Sequence, residues 1–163
     1  MHRLYIAPDD WLTILFRLCL ALFVGAIIGI ERQRRHKPAG LRTHMLVSFG
    51  AALFTLIPLL TGDGDKSYQG EDALSRVIQG ITAGIGFLGA GEILRTSGQE
   101  SGLAKVHGLT SAAAIWVSAA LGIAAGCGFW QLALIAVFLC FLVLKIFKRL
   151  EIKQGAGNGE SNT

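Results

Sequence analysis

Residues 11–35 read WLTILFRLCLALFVGAIIGIERQRR, and this stretch decides the class of fold. Its first part, 11–30, is almost entirely apolar, and a helix needs about 20 such residues to cross a hydrocarbon core of about 30 Å. The charged run that follows is the pattern that stops a helix in the membrane. Asp9 and Asp10 stand where a cleaved signal peptide would have basic residues. The stretch therefore predicts a retained transmembrane helix.

Four further apolar blocks occupy residues 43–60, 77–94, 109–128 and 129–147. Of the whole chain 52% is apolar and only 16% is charged, whereas soluble domains have about 25% charged residues. Backbone polar groups in a bilayer must be satisfied within their own segment, so each block is predicted to be helical. We therefore predict an all-α, polytopic membrane protein with about five transmembrane helices. A re-entrant pair is the alternative for the last two blocks, which meet at a turn with two glycines.

The apolar blocks and the polar C-terminal residues divide the chain into two parts. Residues 1–150 form the transmembrane domain, and residues 151–163, which are rich in Gly, Asn and Ser, form a disordered tail. No segment is long and polar enough to predict a soluble domain.

Basic residues concentrate on one side of the predicted membrane, in the segments after the first, third and fifth blocks. They are Arg32, Arg34, Arg35, Lys37, Arg42, Arg95, Lys105, Lys145, Lys148, Arg149 and Lys153. Short loops rich in Lys and Arg stay in the cytoplasm, so we expect the N-terminus outside and the C-terminal tail inside. Because these charges flank apolar blocks, the net charge of +4 does not predict binding to nucleic acid.

Small residues recur along three of the predicted helices and are the candidates for helix packing. They are Ala21, Gly25 and Gly29 in the first, Gly80, Gly84, Gly86, Gly89 and Gly91 in the third, and Gly122 and Gly126 in the fourth. In lipid, helices associate through close contact of small residues. We therefore predict an inner layer of the first, third and fourth helices, with the second intermediate and the fifth facing lipid. Contacts with a second copy of the chain, in a homo-oligomer, are the alternative use of such a face.

Two charged residues within the blocks have competing interpretations. Arg17 either extends to the outer interface or pairs with an outer carboxylate, Glu71 or Asp72. Glu92, near the inner end of the third block, is either a structural ion-pair partner of a neighbouring arginine or a proton or cation site.

The sequence has no recognisable catalytic or metal-binding pattern. Its four histidines and three cysteines are scattered, and the acidic residues of the loop at 61–75 match no EF-hand, so they indicate a solvated loop rather than a Mg²⁺ or Ca²⁺ site. The GxGxxG at 84–89 lies inside an apolar block, which favours helix packing, or a broken transporter helix, over dinucleotide binding. We expect no enzyme, no catalytic residue, no cofactor and no metal site.

The hinge between the first two blocks is the most informative polar run. Pro38 and Gly40 break the helix, and Thr43 is a candidate cap of the next one. Basic residues that stop a helix in the membrane would explain Arg34, Arg35 and Lys37. They do not explain why Gly, Leu, Arg and Thr follow in that order at 40–43.

Four ordered motifs carry a family resemblance: GAIIGIERQ (25–33), AGLRTHMLVSFGAALF (39–54), GITAGIGFLGAGEIL (80–94) and HGLTSAAAIWVSAALGIAAG (107–126). Together they resemble the membrane domain of the MgtC/SapB family. The resemblance implies a bacterial inner-membrane protein with five spans, associated with growth at low magnesium, acid stress and survival inside host cells. Longer members carry a cytoplasmic domain after the fifth helix, and this chain is expected to be a short form without it.

The resemblance also implies a mode of action. Family members are thought to act as regulators, some by binding other membrane complexes such as the proton-translocating ATP synthase. For this chain the expected binding surface is the predicted cytoplasmic rim, with Glu31, Arg32, Arg42, Thr43, Glu92 and His107. A small oligomeric transporter or channel for Mg²⁺ or H⁺ is the alternative. The sequence identifies neither the partner, the ion nor the oligomeric state.

Overall fold

The computed structural model describes residues 9–61, 67–97 and 108–157. Within these ranges the chain forms α-helices and no strands. The helices are α1 (Trp11–Arg34), α2 (Leu41–Thr61), α3 (Ser67–Ser97), α4 (Leu109–Gly126) and α5 (Trp130–Gly157). The predicted all-α class is confirmed.

Four of the helices contain segments long and apolar enough to cross a membrane: Trp11–Arg34, Leu41–Thr61, Asp72–Ile93 and Leu109–Gly126. Large apolar side chains on their outer faces are exposed, for example Phe87 at 82% and Leu46 at 66%. Such a surface suits hydrocarbon as the solvent, and the protein is a polytopic membrane protein. The apolar part of α5, Trp130–Lys145, is shorter, so a fifth crossing stays a prediction.

The hinge between α1 and α2 ends one helix and starts the next. His36 adopts a left-handed backbone with a φ of 52°, and Lys37 N donates back to Arg32 O at 3.1 Å. The side-chain oxygen of Gln33 accepts from Leu41 N at 3.1 Å. Because α2 already begins at Leu41, Thr43 lies inside its first turn. The predicted cap at Thr43 is therefore wrong, since the side chain of Gln33 serves the start of α2.

The inner layer consists of α1, α2 and α4. Both α1 and α4 pack against α2 and against each other, α3 packs on α4 and α2, and α5 packs on α1 and α4. The backbones of α1 and α3 do not pack against each other among the residues described. The predicted inner layer of the first, third and fourth helices is wrong, because α2 occupies the place expected for α3. A short hinge makes α1 and α2 antiparallel neighbours, and Ser48, Ala51 and Ala52 give α2 a small buried face.

The last helix runs past the predicted domain boundary. α5 continues to Gly157, whereas the tail was expected to begin at residue 151. Glu, Lys and Gln favour helix, so the helix extends beyond its apolar segment. The rest of the predicted tail, 158–163, lies outside the described residues.

Candidate functional site

A row of buried polar side chains lies where α1, α2 and α4 meet, and we call it the polar seam. It consists of Arg17, Arg32, His44, Ser48, Thr55, Ser111 and Ser118. The four residues at its centre, His44, Ser48, Thr55 and Ser118, are all 0% exposed. Their spacings of four and seven residues keep them on one face of each helix. The seam therefore runs along the interior of the helix bundle.

Glycines bring the three backbones together around the seam. A Cβ at Gly25 would lie 2.6 Å from His44 O, and one at Gly126 would lie 2.9 Å from Ala52 O. A Cβ at Gly122 would overlap the backbone of Ser48. Real Cβ atoms do not approach other atoms this closely. The backbone of α2 thus sits against glycine faces of both α1 and α4.

The centre of the seam is a hydrogen bond between α2 and α4. Nδ1 of His44 lies 2.8 Å from Oγ of Ser118, and this hydroxyl donates to Ala114 O at 3.0 Å. Nε2 of His44 and Oγ of Ser48 have no hydrogen-bond partner in the described part of the chain. A buried polar atom without a partner is costly, so these two atoms lower the stability of the centre of the seam.

At one end of the seam Arg32 contacts the start of α4. Its Nη2 donates to Oγ of Ser111 at 2.9 Å, and its Nη1 lies 3.9 Å from Oε2 of Glu31. Glu31 also forms an ion pair with Arg35, one helical turn away. Arg32 is 3% exposed and Glu31 is 7% exposed, so these charges are enclosed by protein.

Beside Arg32 is a cavity of about 110 Å³, which we call the rim cavity. Its lining residues are Arg32, Lys37, Pro38, Glu92, Gly108, Thr110 and Ser111. Three helices and the hinge therefore contribute to it.

At the opposite end Arg17 contacts the end of α4. Its Nη1 donates to Gly126 O at 2.7 Å, and Arg17 is 8% exposed. Arg17 is thus directed into the protein and not along the outer interface as one expectation had it. The other expectation paired Arg17 with Glu71 or Asp72. Asp72 is exposed, and the side chain of Glu71 is not among those that the structure describes. Burial raises the pKa of the Cys127 thiol in the adjacent turn, although nearby Arg17 opposes this.

The predicted rim residues separate into two groups. Glu31, Arg32 and Glu92 lie together, and Glu92 interacts electrostatically with Arg32. Arg42 and Thr43 are exposed on the first turn of α2. His107 lies outside the described residues.

The central polar residues of the seam were not among the site residues predicted from the sequence. His44, Ser48 and Thr55 share one face of α2, and Ser111 and Ser118 share the face of α4 that contains Gly122 and Gly126. Polar residues in register with glycine rows are the signal that would have identified them.

The glycines of α3 differ from those of the inner layer. A Cβ at Gly80, Gly84, Gly86 or Gly91 would meet nothing within 4 Å, and one at Gly89 would lie 3.5 Å from Cβ of Ala112. Between α2 and α3 is an open apolar groove of about 590 Å³, the α2–α3 groove. Gly80 and Gly84 line it on α3 and Gly50 lines it on α2. Within the described chain Gly89 thus meets α4, whereas Gly80, Gly84, Gly86 and Gly91 meet no neighbouring helix closely.

Among the residues described, no three or more His, Cys, Asp or Glu side chains lie together in a group that could hold a metal ion.

Comparisons with known proteins agree with the motifs. A model of the MgtC family matches residues 18–153. The chain is 50% identical over 153 residues to Protein SrpB of Synechococcus elongatus, covering 93% of this chain and 84% of that protein. It is 39% identical over 142 residues to the "Putative magnesium transporter YhiD" of Escherichia coli K12, covering 85% of this chain. It is 40% identical over 132 residues to Protein MgtC of Salmonella typhimurium LT2, covering 80% of this chain.

The chain spans 62% of the length of the Escherichia coli relative and 51% of the Salmonella relative. No solved structure matches it at a significant level.

Proposed function

Because the chain belongs to the MgtC family, whose model covers residues 18–153, we propose that it is a non-enzymatic regulator of the bacterial inner membrane that binds another membrane protein. Its action belongs to adaptation to low magnesium or stress, which the family resemblance implies. The surface that carries the proposal is the glycine face of α3.

The contrast between two sets of glycines supports this surface. Gly25, Gly122 and Gly126 contact neighbouring backbones, whereas Gly80 and Gly84 have open space in front of them. A glycine inside a helix costs about 1 kcal/mol relative to alanine. In α1 and α4 that cost is offset by close packing. On α3 the described chain supplies no such packing, so a helix from outside is the natural partner.

The α2–α3 groove is long enough to contact about three turns of such a helix. On α3 it extends from Val77 to Leu88, which is about 16 Å at 1.5 Å per residue. The lining is apolar except for backbone, so the partner segment is a transmembrane helix. Arg42 and Thr43 are exposed on α2 and can contact polar residues at the end of that helix.

The buried position of Glu31 and Arg32 changes the expected role of the rim. Both residues are enclosed, at 7% and 3% exposure, so they do not form the contact surface. We assign them instead to holding the hinge and the start of α4 in place.

Site-specific crosslinking tests the proposal. A photoreactive amino acid replaces Leu88 in the groove, the chain is expressed in its native membrane, and the crosslinked protein is identified by mass spectrometry. We expect Gly84→Leu, which fills the groove, to abolish this crosslink. Leu132→Phe enlarges an exposed side chain on α5 and is the matched control, which we expect to retain it. An identical crosslink in wild type and Gly84→Leu would contradict the proposal.

A small oligomeric transporter for Mg²⁺ or H⁺ is the second candidate. The observation that favours it is the polar seam, with the buried atoms at His44 and Ser48 that have no partner among the described residues. One relative is also named a putative magnesium transporter. Liposomes with purified protein distinguish the candidates, because flux of Mg²⁺ or H⁺ that His44→Ala or Ser48→Ala abolishes would support transport. Flux equal to that of empty liposomes would exclude it.

A further inference from the structure

The start of α4, whose first N–H groups have no partner within the helix, borders the rim cavity. Gly108 precedes the helix with a φ of 92° and makes no side-chain cap bond. The first helical bond runs from Ala112 N to Gly108 O at 2.9 Å. The N–H groups of Leu109, Thr110 and Ser111 therefore have no acceptor within the helix, and Thr110 and Ser111 line the cavity.

Arg32 adds a second, independent indication. Arg32 is only 3% exposed and lines the cavity. Its Nε has no hydrogen-bond partner among the described residues. Its Nη2 is held by Ser111, at the positive end of the α4 dipole. A cation at a helix N-terminus is unfavourable, whereas an anion there is stabilised. The buried guanidinium and the helix end thus both favour a negative group between them.

The charges around the cavity limit what this group can be. Among the described residues that line it, Arg32 and Lys37 are positive and Glu92 is negative, which leaves one net positive charge. Glu31 lies 3.9 Å from Arg32 and is also paired with Arg35, so Glu31 and Arg35 together add no net charge. One negative charge on the ligand therefore matches the site, and the carboxylate of Glu92 disfavours a second. A phosphodiester has one negative charge and oxygen acceptors for both N–H groups and guanidinium.

The position of the cavity indicates the source of the phosphodiester. On α3, Leu88 lies one helical turn before Glu92, and Leu88 lines the apolar α2–α3 groove. A polar cavity is thus followed along α3 by an apolar groove, which is the order of headgroup and acyl chain in a lipid. We propose that the rim cavity binds the phosphodiester of a membrane phospholipid. The headgroup site is separate from the partner-binding surface proposed above, although the acyl chain would share the α2–α3 groove with the partner helix.

Native mass spectrometry of the full chain in detergent tests the proposal. The purified protein is titrated with phosphatidylglycerol and, separately, with a glycolipid that has the same acyl chains but no phosphate. We expect phosphatidylglycerol to bind about tenfold more tightly, which is the effect of one charge-assisted hydrogen bond. Lys37→Gln, in the exposed hinge, is expected to remove most of this preference, and Lys37→Arg to keep it.

Arg34→Gln is the matched control, because Arg34 is exposed nearby on α1 and does not line the cavity. An equal loss of preference in Arg34→Gln and Lys37→Gln would overturn the proposal, since it would reveal general surface electrostatics. Sodium phosphate at millimolar concentration is added as a competitor and is expected to leave phosphatidylglycerol bound. Binding of inorganic phosphate without a preference for phosphatidylglycerol would also overturn it, in favour of a free anion.

Discussion

Nη1 of Arg17 on α1 donates a hydrogen bond of 2.7 Å to the carbonyl oxygen of Gly126, 109 positions away on α4. Gly126 is the last residue of α4, and the last carbonyls of a helix have no partner within it. The guanidinium satisfies one of them and places a positive charge at the negative end of the α4 dipole. An intramembrane arginine thus joins the start of α1 to the end of α4.

We expect Arg17→Met to lower the free energy of unfolding by about 2 kcal/mol, because it leaves the buried carbonyl of Gly126 without a donor. Equilibrium unfolding in mixed detergent, followed by circular dichroism, measures the change. Arg42→Gln is the control, since Arg42 is exposed and surface substitutions change stability little. Equal stability of the two variants would mean that the contact does not hold α1 to α4.

The two kinds of glycine give a matched pair of substitutions. Gly122→Ala is expected to destabilise the protein by about 1–3 kcal/mol, because the added Cβ overlaps the backbone of Ser48 and forces α2 and α4 apart. Gly86→Ala meets nothing within 4 Å and is expected to leave stability unchanged or slightly raised, because alanine favours helix. The same unfolding measurement compares them. A larger loss in Gly86→Ala than in Gly122→Ala would contradict the packing described for the inner layer.

The sequence predicted the class of fold because hydrocarbon imposes one rule on every span. An apolar block of sufficient length must be a helix, so α1 to α4 follow from the position and length of the apolar blocks. The small face of α1 was also apparent from the spacing of Ala21, Gly25 and Gly29. The sequence did not predict which helix contacts that face, because a row of glycines does not specify its partner. The glycines of α3 look like those of α4 in the sequence, although only the latter contact another backbone.

Much of the candidate site was beyond sequence reasoning for a different physical reason. The partner of Arg17 is a backbone carbonyl, which has no signature in the side-chain sequence. His44 and Ser118 are 74 positions apart, and single polar residues in apolar blocks are unremarkable until the helices are placed. At the rim, Arg32 and Glu92 were both predicted as binding candidates and they line one cavity, while their role in binding stays a prediction.

The contact between His44 and Ser118 predicts energetic coupling across the seam. In a double-mutant cycle of His44→Ala and Ser118→Ala we expect a coupling energy of about 0.6 kcal/mol, the average for polar contacts between transmembrane helices. Ser118→Ala paired with Thr55→Ala is the control, because Thr55 donates to Ala51 O on its own helix. We expect these two substitutions to be additive. Similar coupling in both cycles would mean that the effect is not specific to the histidine contact.

The distribution of Lys and Arg predicts the orientation in the membrane, which labelling of single cysteines can measure. In a chain with Cys19, Cys127 and Cys140 replaced by alanine, one cysteine is introduced at Lys37 or at Thr61, both exposed and at opposite ends of α2's span. Because the basic hinge is expected to stay in the cytoplasm, an impermeant maleimide should label Thr61→Cys in spheroplasts and label Lys37→Cys only after permeabilisation.

The permeabilised sample is the internal control for this orientation, because it establishes that both thiols react once the reagent reaches them. Labelling of Lys37→Cys in intact spheroplasts, with Thr61→Cys protected, would invert the assignment. The rim cavity would then face the periplasm together with Arg32 and Glu92. The phospholipid proposed for that cavity would come from the outer leaflet, whereas the packing of α1, α2 and α4 would be unaffected.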